Sequence, residues 1–103
     1  MLSKKLIIAM MFILMLVAGS AVAGGDVANG QALSVDCADC HGDDGLGDED
    51  VPGIAGKDAQ EHAKQLADFQ SGVVESEMAD YLEGLSEQDM LDLAAYYATL
   101  PAN

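Results

Sequence analysis

The sequence predicts an all-α fold on three observations. Downstream of residue 23, apolar residues recur at helical spacing in four segments. No run of alternating β-branched residues indicates a strand. The stretch 42–57 contains five glycines and directly follows the cysteines, and so long a loop in so small a domain usually wraps around something.

Four helices are predicted, each from its apolar spacing and from residues that start or stop helices. Asp58 and Ser86 are good N-caps, with Glu61 completing a possible capping box after Asp58. Gly72 and Pro101 are stop signals. The predicted ranges are 26–36, 58–71, 75–83 and 87–100.

Residues 1–23 have the three parts of a secretory signal peptide. A short basic start, Lys4-Lys5, precedes 13 apolar residues, and Ala21-Val22-Ala23 is a small-x-small cleavage pattern. A spanning helix needs about 20 apolar residues, which favours cleavage over the alternative of an uncleaved membrane anchor. Residues 24–103 are therefore expected to form one domain outside the cytoplasm, in the periplasm.

The two cysteines of the chain lie in one motif, Cys37-Ala38-Asp39-Cys40-His41. A redox dithiol or disulfide usually sits between a strand and a helix, and no strand is predicted here. A zinc site needs four ligands, so it would require His62 as well as His41. In the third interpretation the thiols form thioethers with the vinyl groups of a haem c, and the adjacent imidazole binds its iron.

Agreement among several features favours haem attachment. The chain is predicted to be exported from the cytoplasm, and covalent haem attachment occurs in exported proteins. Residues 24–103 hold few large apolar side chains, and a domain of about 80 residues with so small a core often needs a cofactor to complete it.

Three side chains could bind the other face of the iron: Met78, Met90 and His62. Met90 is at helical spacing from the apolar residues of the last helix, which indicates that it packs in the core. Met78 lies in a short acidic segment where packing does not explain a methionine, so Met78 is the predicted distal ligand. His62 lies on the apolar face of the second helix, either as a half-buried histidine or as a hydrogen-bond donor to a haem propionate.

The chain resembles the small class I cytochromes c of bacteria over nearly all of residues 26–101. The likeness is greatest to the haem subunit of flavocytochrome c sulfide dehydrogenase and to single halves of dihaem cytochromes c. The matching stretches are Gly30-Gln31-Ala32-Leu33, Cys37-Ala38-Asp39-Cys40-His41-Gly42, Val51-Pro52-Gly53-Ile54-Ala55-Gly56, Gln65-Leu66 with Phe69 and Gly72, Met78, Leu85-Ser86-Glu87-Gln88-Asp89 and Leu93-Ala94-Ala95-Tyr96.

The resemblance implies a class I cytochrome c fold, with the helices wrapped around one covalently attached haem c. It assigns the thioethers to Cys37 and Cys40 and the axial iron ligands to His41 and Met78. It also implies that the carbonyl of Pro52 fixes the His41 ring. Gly30 corresponds to the small residue where the first and last helices cross.

The function implied is single-electron transfer between redox partners, not enzymatic catalysis, because two axial ligands leave the iron no open position. The alternative is a haem subunit of a larger oxidoreductase, such as one with a flavoprotein subunit. A haem sensor or peroxidase would require an open iron.

The domain is strongly acidic. The whole chain has 4 basic and 18 acidic residues and a net charge of −14. Residues 24–103 contain all of the acids and only Lys57 and Lys64 as bases, so their charge is −16. This excludes a nucleic-acid binder and disfavours an anionic membrane surface. The acids could steer a basic redox partner, suit a salty medium or, in the loop, bind calcium.

Overall fold

The computed structural model describes residues 24–102, so the predicted signal peptide of residues 1–23 lies outside the described residues, as does Asn103. Within that range the chain forms five α-helices and no strand, which confirms the all-α prediction. The helices are α1 (Val27–Leu33), α2 (Val35–His41), α3 (Ala59–Ser71), α4 (Met78–Leu82) and α5 (Glu87–Ala98). None of the helices between residues 24 and 102 has the length and apolar character needed to cross a membrane.

The first predicted helix is two helices in the structure. α1 ends at Leu33, and the hydroxyl of the buried Ser34 donates to the Gln31 carbonyl over 2.7 Å before α2 begins. The prediction that helical structure stops near Asp36 is wrong, because α2 continues through His41. The residues of α2 have modest intrinsic helix propensity, and the packing of Cys37 against the core supports this short helix instead.

The other three helices lie close to the predicted positions. The Asp58 side chain accepts from the Glu61 N–H at 3.0 Å, and Gly72 ends α3 with a left-handed φ of 83°. A complete capping box is instead found at α5, between Ser86 and Asp89. α4 is shorter than predicted and begins at Met78.

α1 and α5 cross where Gly30 is buried. A Cβ atom at this position would lie 2.8 Å from the Cβ of Tyr96 and would overlap the backbone carbonyl of Asp92. Only glycine therefore allows the two backbones to approach this closely. The crossing of the first and last helices that the resemblance implies at Gly30 is therefore present, with Asp92 and Tyr96 as its close neighbours on α5.

A buried carboxylate fastens the start of α1 to α5. Asp92 is 3% exposed and accepts hydrogen bonds from the Asp26 N–H at 2.6 Å, the Asn29 amide at 2.7 Å and the Gln88 amide at 2.8 Å. Burial alone would raise the pKa of Asp92, but these hydrogen bonds outweigh it and hold the pKa below its usual value.

The apolar core lies among α3, α4 and α5. It consists of Leu66, Leu82, Met90, Leu93 and Tyr97. Met90 is 4% exposed, as its core spacing predicts. The core is small, and three of its residues, Leu66, Leu93 and Tyr97, also line a cavity.

The glycine-rich loop folds back against this cavity. Its Gly47 N–H donates to the His41 carbonyl at 2.8 Å, and its Gly56 N–H donates to the Tyr97 carbonyl at 2.9 Å. Gly42, which ends α2, has a φ of 85°, a conformation that favours glycine. The loop thereby carries Pro52 to the end of α2.

Candidate functional site

One cavity of about 600 Å³ collects all five site residues predicted from the sequence. Its volume lies in the usual range for cofactor sites. Helix α2, the glycine-rich loop, α3, the segment before α4, α4 itself and α5 all contribute to its wall. The predicted residues among its lining are Cys37, Cys40, His41, Pro52 and Met78.

Helix α2 presents the cysteine motif to the cavity. Cys37 and Cys40 are three residues apart, so their side chains lie on the same side of the helix. Both are free thiols, Cys37 partly buried and Cys40 exposed. His41, the last residue of the helix, is 6% exposed and also lines the cavity.

The environment of Cys37 favours a protonated thiol. Burial raises the pKa of Cys37, and the neighbouring Asp36 carboxylate also raises it, whereas a contact with Tyr97 lowers it only partly. Redox-active dithiols need a lowered pKa, since the thiolate is the nucleophile. The environment of Cys37 therefore does not match that of a redox-active thiol.

The imidazole of His41 is oriented by the loop. Its Nδ1 lies 2.8 Å from the carbonyl oxygen of Pro52. A carbonyl only accepts, so Nδ1 carries the proton and donates it. The Nε2 atom of the neutral ring then keeps its lone pair, which is the state needed to bind a metal.

Met78 lines the cavity from α4, far along the chain from the cysteine motif. It is the first residue of α4, is partly buried and packs against the core cluster. Its N–H donates to the hydroxyl of Ser76 at 3.1 Å. The cavity is therefore lined by one imidazole from α2 and one thioether from α4.

Two further residues line the cavity: His62, already a candidate from the sequence, and Lys57. His62 is 3% exposed, more buried than expected, and its ring lies 5.9 Å from that of Tyr97. Burial, reinforced by the positive charge of Lys57 and by His41, lowers the pKa of His62 to about 4. The Nδ1 atom of His62 is buried without a hydrogen-bond partner. Lys57 was noted in the sequence only as one of two bases.

Tyr97, on α5, also lines the cavity. It is 2% exposed and packs edge-on against Tyr96, with the ring centroids 5.1 Å apart. Burial, together with the nearby Cys37, raises the pKa of Tyr97 above its usual value. The sequence placed Tyr97 on the apolar face of the last helix but did not indicate its contact with the cysteine.

Among residues 24–102, His, Cys, Asp and Glu form no group of three or more that could hold a metal ion through side chains alone. The four ligands required by the zinc interpretation all line the cavity, but they do not form such a group.

The lining residues fit a covalently attached haem. Two free thiols on one helical turn, an imidazole with an available Nε2 and a soft thioether form the donor set of a c-type haem with two axial ligands. The unpartnered Nδ1 of His62 indicates that the polypeptide by itself leaves the wall of the cavity incomplete.

Comparisons with known proteins agree with the fold. The sequence pattern of the cytochrome c family matches residues 27–101. Cytochrome c4 of Pseudomonas aeruginosa is 39% identical over 98 residues, which cover 93% of this chain and 48% of the relative. Cytochrome c4 of Thiocapsa roseopersicina is 38% identical over 84 residues, covering 81% of this chain and 41% of the relative.

Solved structures of cytochromes c4 also match this fold. Reduced cytochrome c4 from Pseudomonas stutzeri superposes with a TM-score of 0.70 and 32% identity, over 77% of this chain and 47% of that one. Cytochrome c4 from Acidithiobacillus ferrooxidans gives a TM-score of 0.69 and 27% identity, over 79% and 54% of the two chains.

The fold is that of a c-type cytochrome, the haem-binding class of electron-transport proteins. The chain belongs to the cytochrome c family. It spans about half the length of the cytochromes c4 that it matches. This confirms the resemblance to class I cytochromes c and, in particular, to single halves of dihaem cytochromes c.

Proposed function

We propose that this protein is an exported carrier of single electrons, with one haem c bound in the cavity. Cys37 and Cys40 would hold the haem through thioethers, and the iron would lie between the imidazole of His41 and the thioether of Met78. The observation that carries the proposal is the convergence of these four side chains on one cavity of about 600 Å³.

The haem supplies one-electron chemistry when bound, and the protein supplies the ligands and their positions. Pro52 holds the His41 ring so that Nε2 can bind iron. Met78 supplies a soft ligand, which raises the reduction potential relative to a second histidine. The buried Leu66, Leu93 and Tyr97 line the cavity and keep water from it.

A carrier without enzymatic activity of its own follows from this ligand set. With His41 and Met78 both bound, the iron would have no open position for a substrate. A sensor or peroxidase would need one of these ligands to be absent or readily displaced.

The surface supports electron exchange with another protein. The charge of −16 on residues 24–103 would attract a basic partner and increase the rate of encounter at low salt. Val74 and Tyr81 line the cavity and are 45% and 52% exposed, which provides an apolar contact area at its mouth. We place the protein in the periplasm, after removal of residues 1–23.

The subunit alternative stays a prediction. The relatives found are cytochromes c4, and nothing in the cavity or on the described surface favours a flavoprotein as the partner.

The test is the response of the protein purified from periplasm to carbon monoxide and to peroxide. We expect reversible one-electron oxidation and reduction, no carbon monoxide bound by the ferrous protein and no turnover of peroxide. Rapid carbon monoxide binding with peroxide turnover would instead show an open iron and overturn the carrier function. The dependence of the electron-transfer rate on ionic strength tests steering, since steering requires the rate to fall as salt is added.

A further inference from the structure

We infer that Lys57 and His62 form the corner of the cavity that receives the propionate carboxylates of the haem. This rests on the proposed function, because it requires that the cavity hold a haem. It adds an anion-binding pair to the thioether and iron ligands described above.

Lys57 is the first part of the argument. Only two basic residues, Lys57 and Lys64, lie in the part of the chain that the structure describes, among 18 acids. Lys64 is 77% exposed and pairs with Asp68 at 3.0 Å on the same helix. Lys57 forms no ion pair with any of residues 24–102 and lines the cavity instead. A lysine that faces a cavity in so acidic a protein is explained by an anion bound inside it.

His62 is the second and independent part. Its side chain is 3% exposed, lines the cavity and has an Nδ1 atom with no hydrogen-bond partner. Buried polar atoms are nearly always paired, so the missing partner belongs to a group that the polypeptide does not supply. In the polypeptide alone, burial and the charge of Lys57 lower the pKa of His62 to about 4, which favours the neutral ring. Lys57 then supplies the charge, and His62 supplies an N–H donor.

Lys57 and His62 lie close together at the start of α3, so they can act on the same bound group. Lys57 immediately precedes Asp58, the N-cap of α3, and His62 lies one turn further, with its N–H bonded to the Asp58 carbonyl at 2.9 Å. The charge of Lys57 is close enough to act on the His62 ring.

The rest of the lining would repel a carboxylate or offer it no cation. The other titratable groups of the lining, apart from the cysteines and His41, are Asp50 in the loop, Asp68 on α3, Glu77 and Tyr81 at α4 and Tyr97 on α5. Three of these five are carboxylates. The Lys57–His62 corner is therefore the one part of the described lining where a propionate meets a positive charge.

The experiment measures the pKa of the propionates and the reduction potential in the holoprotein, using Lys57→Gln with Lys64→Gln as its matched control. Both variants remove one positive charge, but only Lys57 lines the cavity. Carbon-13 spectra of haem labelled at the propionates follow their ionisation directly. We expect Lys57→Gln to increase the proton affinity of at least one propionate about tenfold at 0.15 M salt, where more distant charges are screened.

The reduction potential of the haem should depend on whether the propionates are ionised. Protonation of a propionate removes negative charge near the iron, so the potential rises as pH falls through the propionate pKa. In Lys57→Gln this pH-dependent range should move to higher pH, while Lys64→Gln should keep the wild-type curve.

A second pair of variants tests the hydrogen bond from His62. His62→Leu removes the donor and should raise the propionate pKa, whereas His62→Gln keeps an N–H donor and should restore most of the wild-type value. If Lys57→Gln leaves the haem attached and changes neither the propionate pKa nor the potential curve relative to Lys64→Gln, the inference is wrong while the proposed function stands. If wild-type protein carries no haem, the proposed function itself fails.

Discussion

Nδ1 of His41 lies 2.8 Å from the carbonyl oxygen of Pro52. This hydrogen bond connects the end of α2 to the glycine-rich loop, and the Gly47 N–H strengthens the connection by donating to the His41 carbonyl at 2.8 Å. It places the ring proton on Nδ1 and leaves Nε2 available. The loop after the cysteines thus decides which nitrogen of His41 keeps its lone pair.

Pro52→Ala separates the role of the carbonyl from that of the proline ring. The alanine keeps the carbonyl, so the absorption spectrum of the holoprotein should stay that of the wild type. Loss of the rigid ring should lower the free energy of unfolding by about 0.4–1 kcal/mol, because the unfolded chain gains freedom. Denaturant unfolding measures this, with Pro101→Ala, at an exposed position near the end of the chain, as the control. A spectrum showing loss of His41 ligation in Pro52→Ala would contradict the carbonyl's role.

Met78→Ala tests the distal ligand. Removing the thioether should lower the reduction potential by more than about 59 mV, a tenfold change in the ferric–ferrous equilibrium, and should let the ferrous protein bind carbon monoxide. Met90→Leu is the matched control, because Met90 is 4% exposed in the core and the substitution conserves volume. Equal potentials in the two variants would remove Met78 from the ligand set.

Asp92→Asn tests the buried carboxylate that joins α1 to α5. The new amide would oppose donors from Asn29 and Gln88, so we expect a loss of about 2–4 kcal/mol in unfolding free energy at pH 7. The control is Asp43→Asn, an exposed loop residue, which should change stability by less than about 0.5 kcal/mol.

The pH dependence of Asp92→Asn has a definite sign. The folded-state pKa of Asp92 is lowered, so its stabilisation is complete above the unfolded-state pKa of about 3.9 and is lost as pH falls through the lower folded-state pKa. Unfolding curves of wild type and variant should therefore converge in strong acid. A stability difference that stays constant from pH 7 into that range would show that the carboxylate charge contributes nothing.

Gly30→Ala tests the helix crossing. A methyl group at this position would collide with the Asp92 carbonyl and the Tyr96 Cβ, so the variant should lose at least about 2 kcal/mol in unfolding free energy. Gln31→Ala, at the exposed neighbouring position, should change it by less than about 0.5 kcal/mol. Similar stabilities for both variants would mean that α1 and α5 do not approach closely at Gly30.

Covalent chemistry explains how much of the site was predictable from the sequence. Thioether attachment requires two cysteines at a fixed spacing with a histidine next to them, so Cys37, Cys40 and His41 were visible as one motif. Met78 stood out because its neighbours are acidic. The structure brings all four to one cavity, although they lie up to 41 positions apart in the chain.

Features that depend on how the loop folds back were not predictable. The contact of Lys57 with the cavity and the deep burial of His62 result from the loop of residues 42–58 packing beside α3 and α5, and no local pattern encodes that packing. The break between α1 and α2 was missed for a similar reason. Ser34 is only a weak helix breaker, so its residue type does not by itself mark the end of α1.

The most direct test of the account is the absorption spectrum and mass of the protein from periplasm before and after denaturation, with the Cys37→Ala/Cys40→Ala double variant beside it. We predict one haem for this chain, which stays attached to the unfolded wild-type polypeptide and is absent from the double variant after the same treatment. A wild-type protein that carries no haem, or that releases it on denaturation, would contradict the covalent attachment at Cys37 and Cys40.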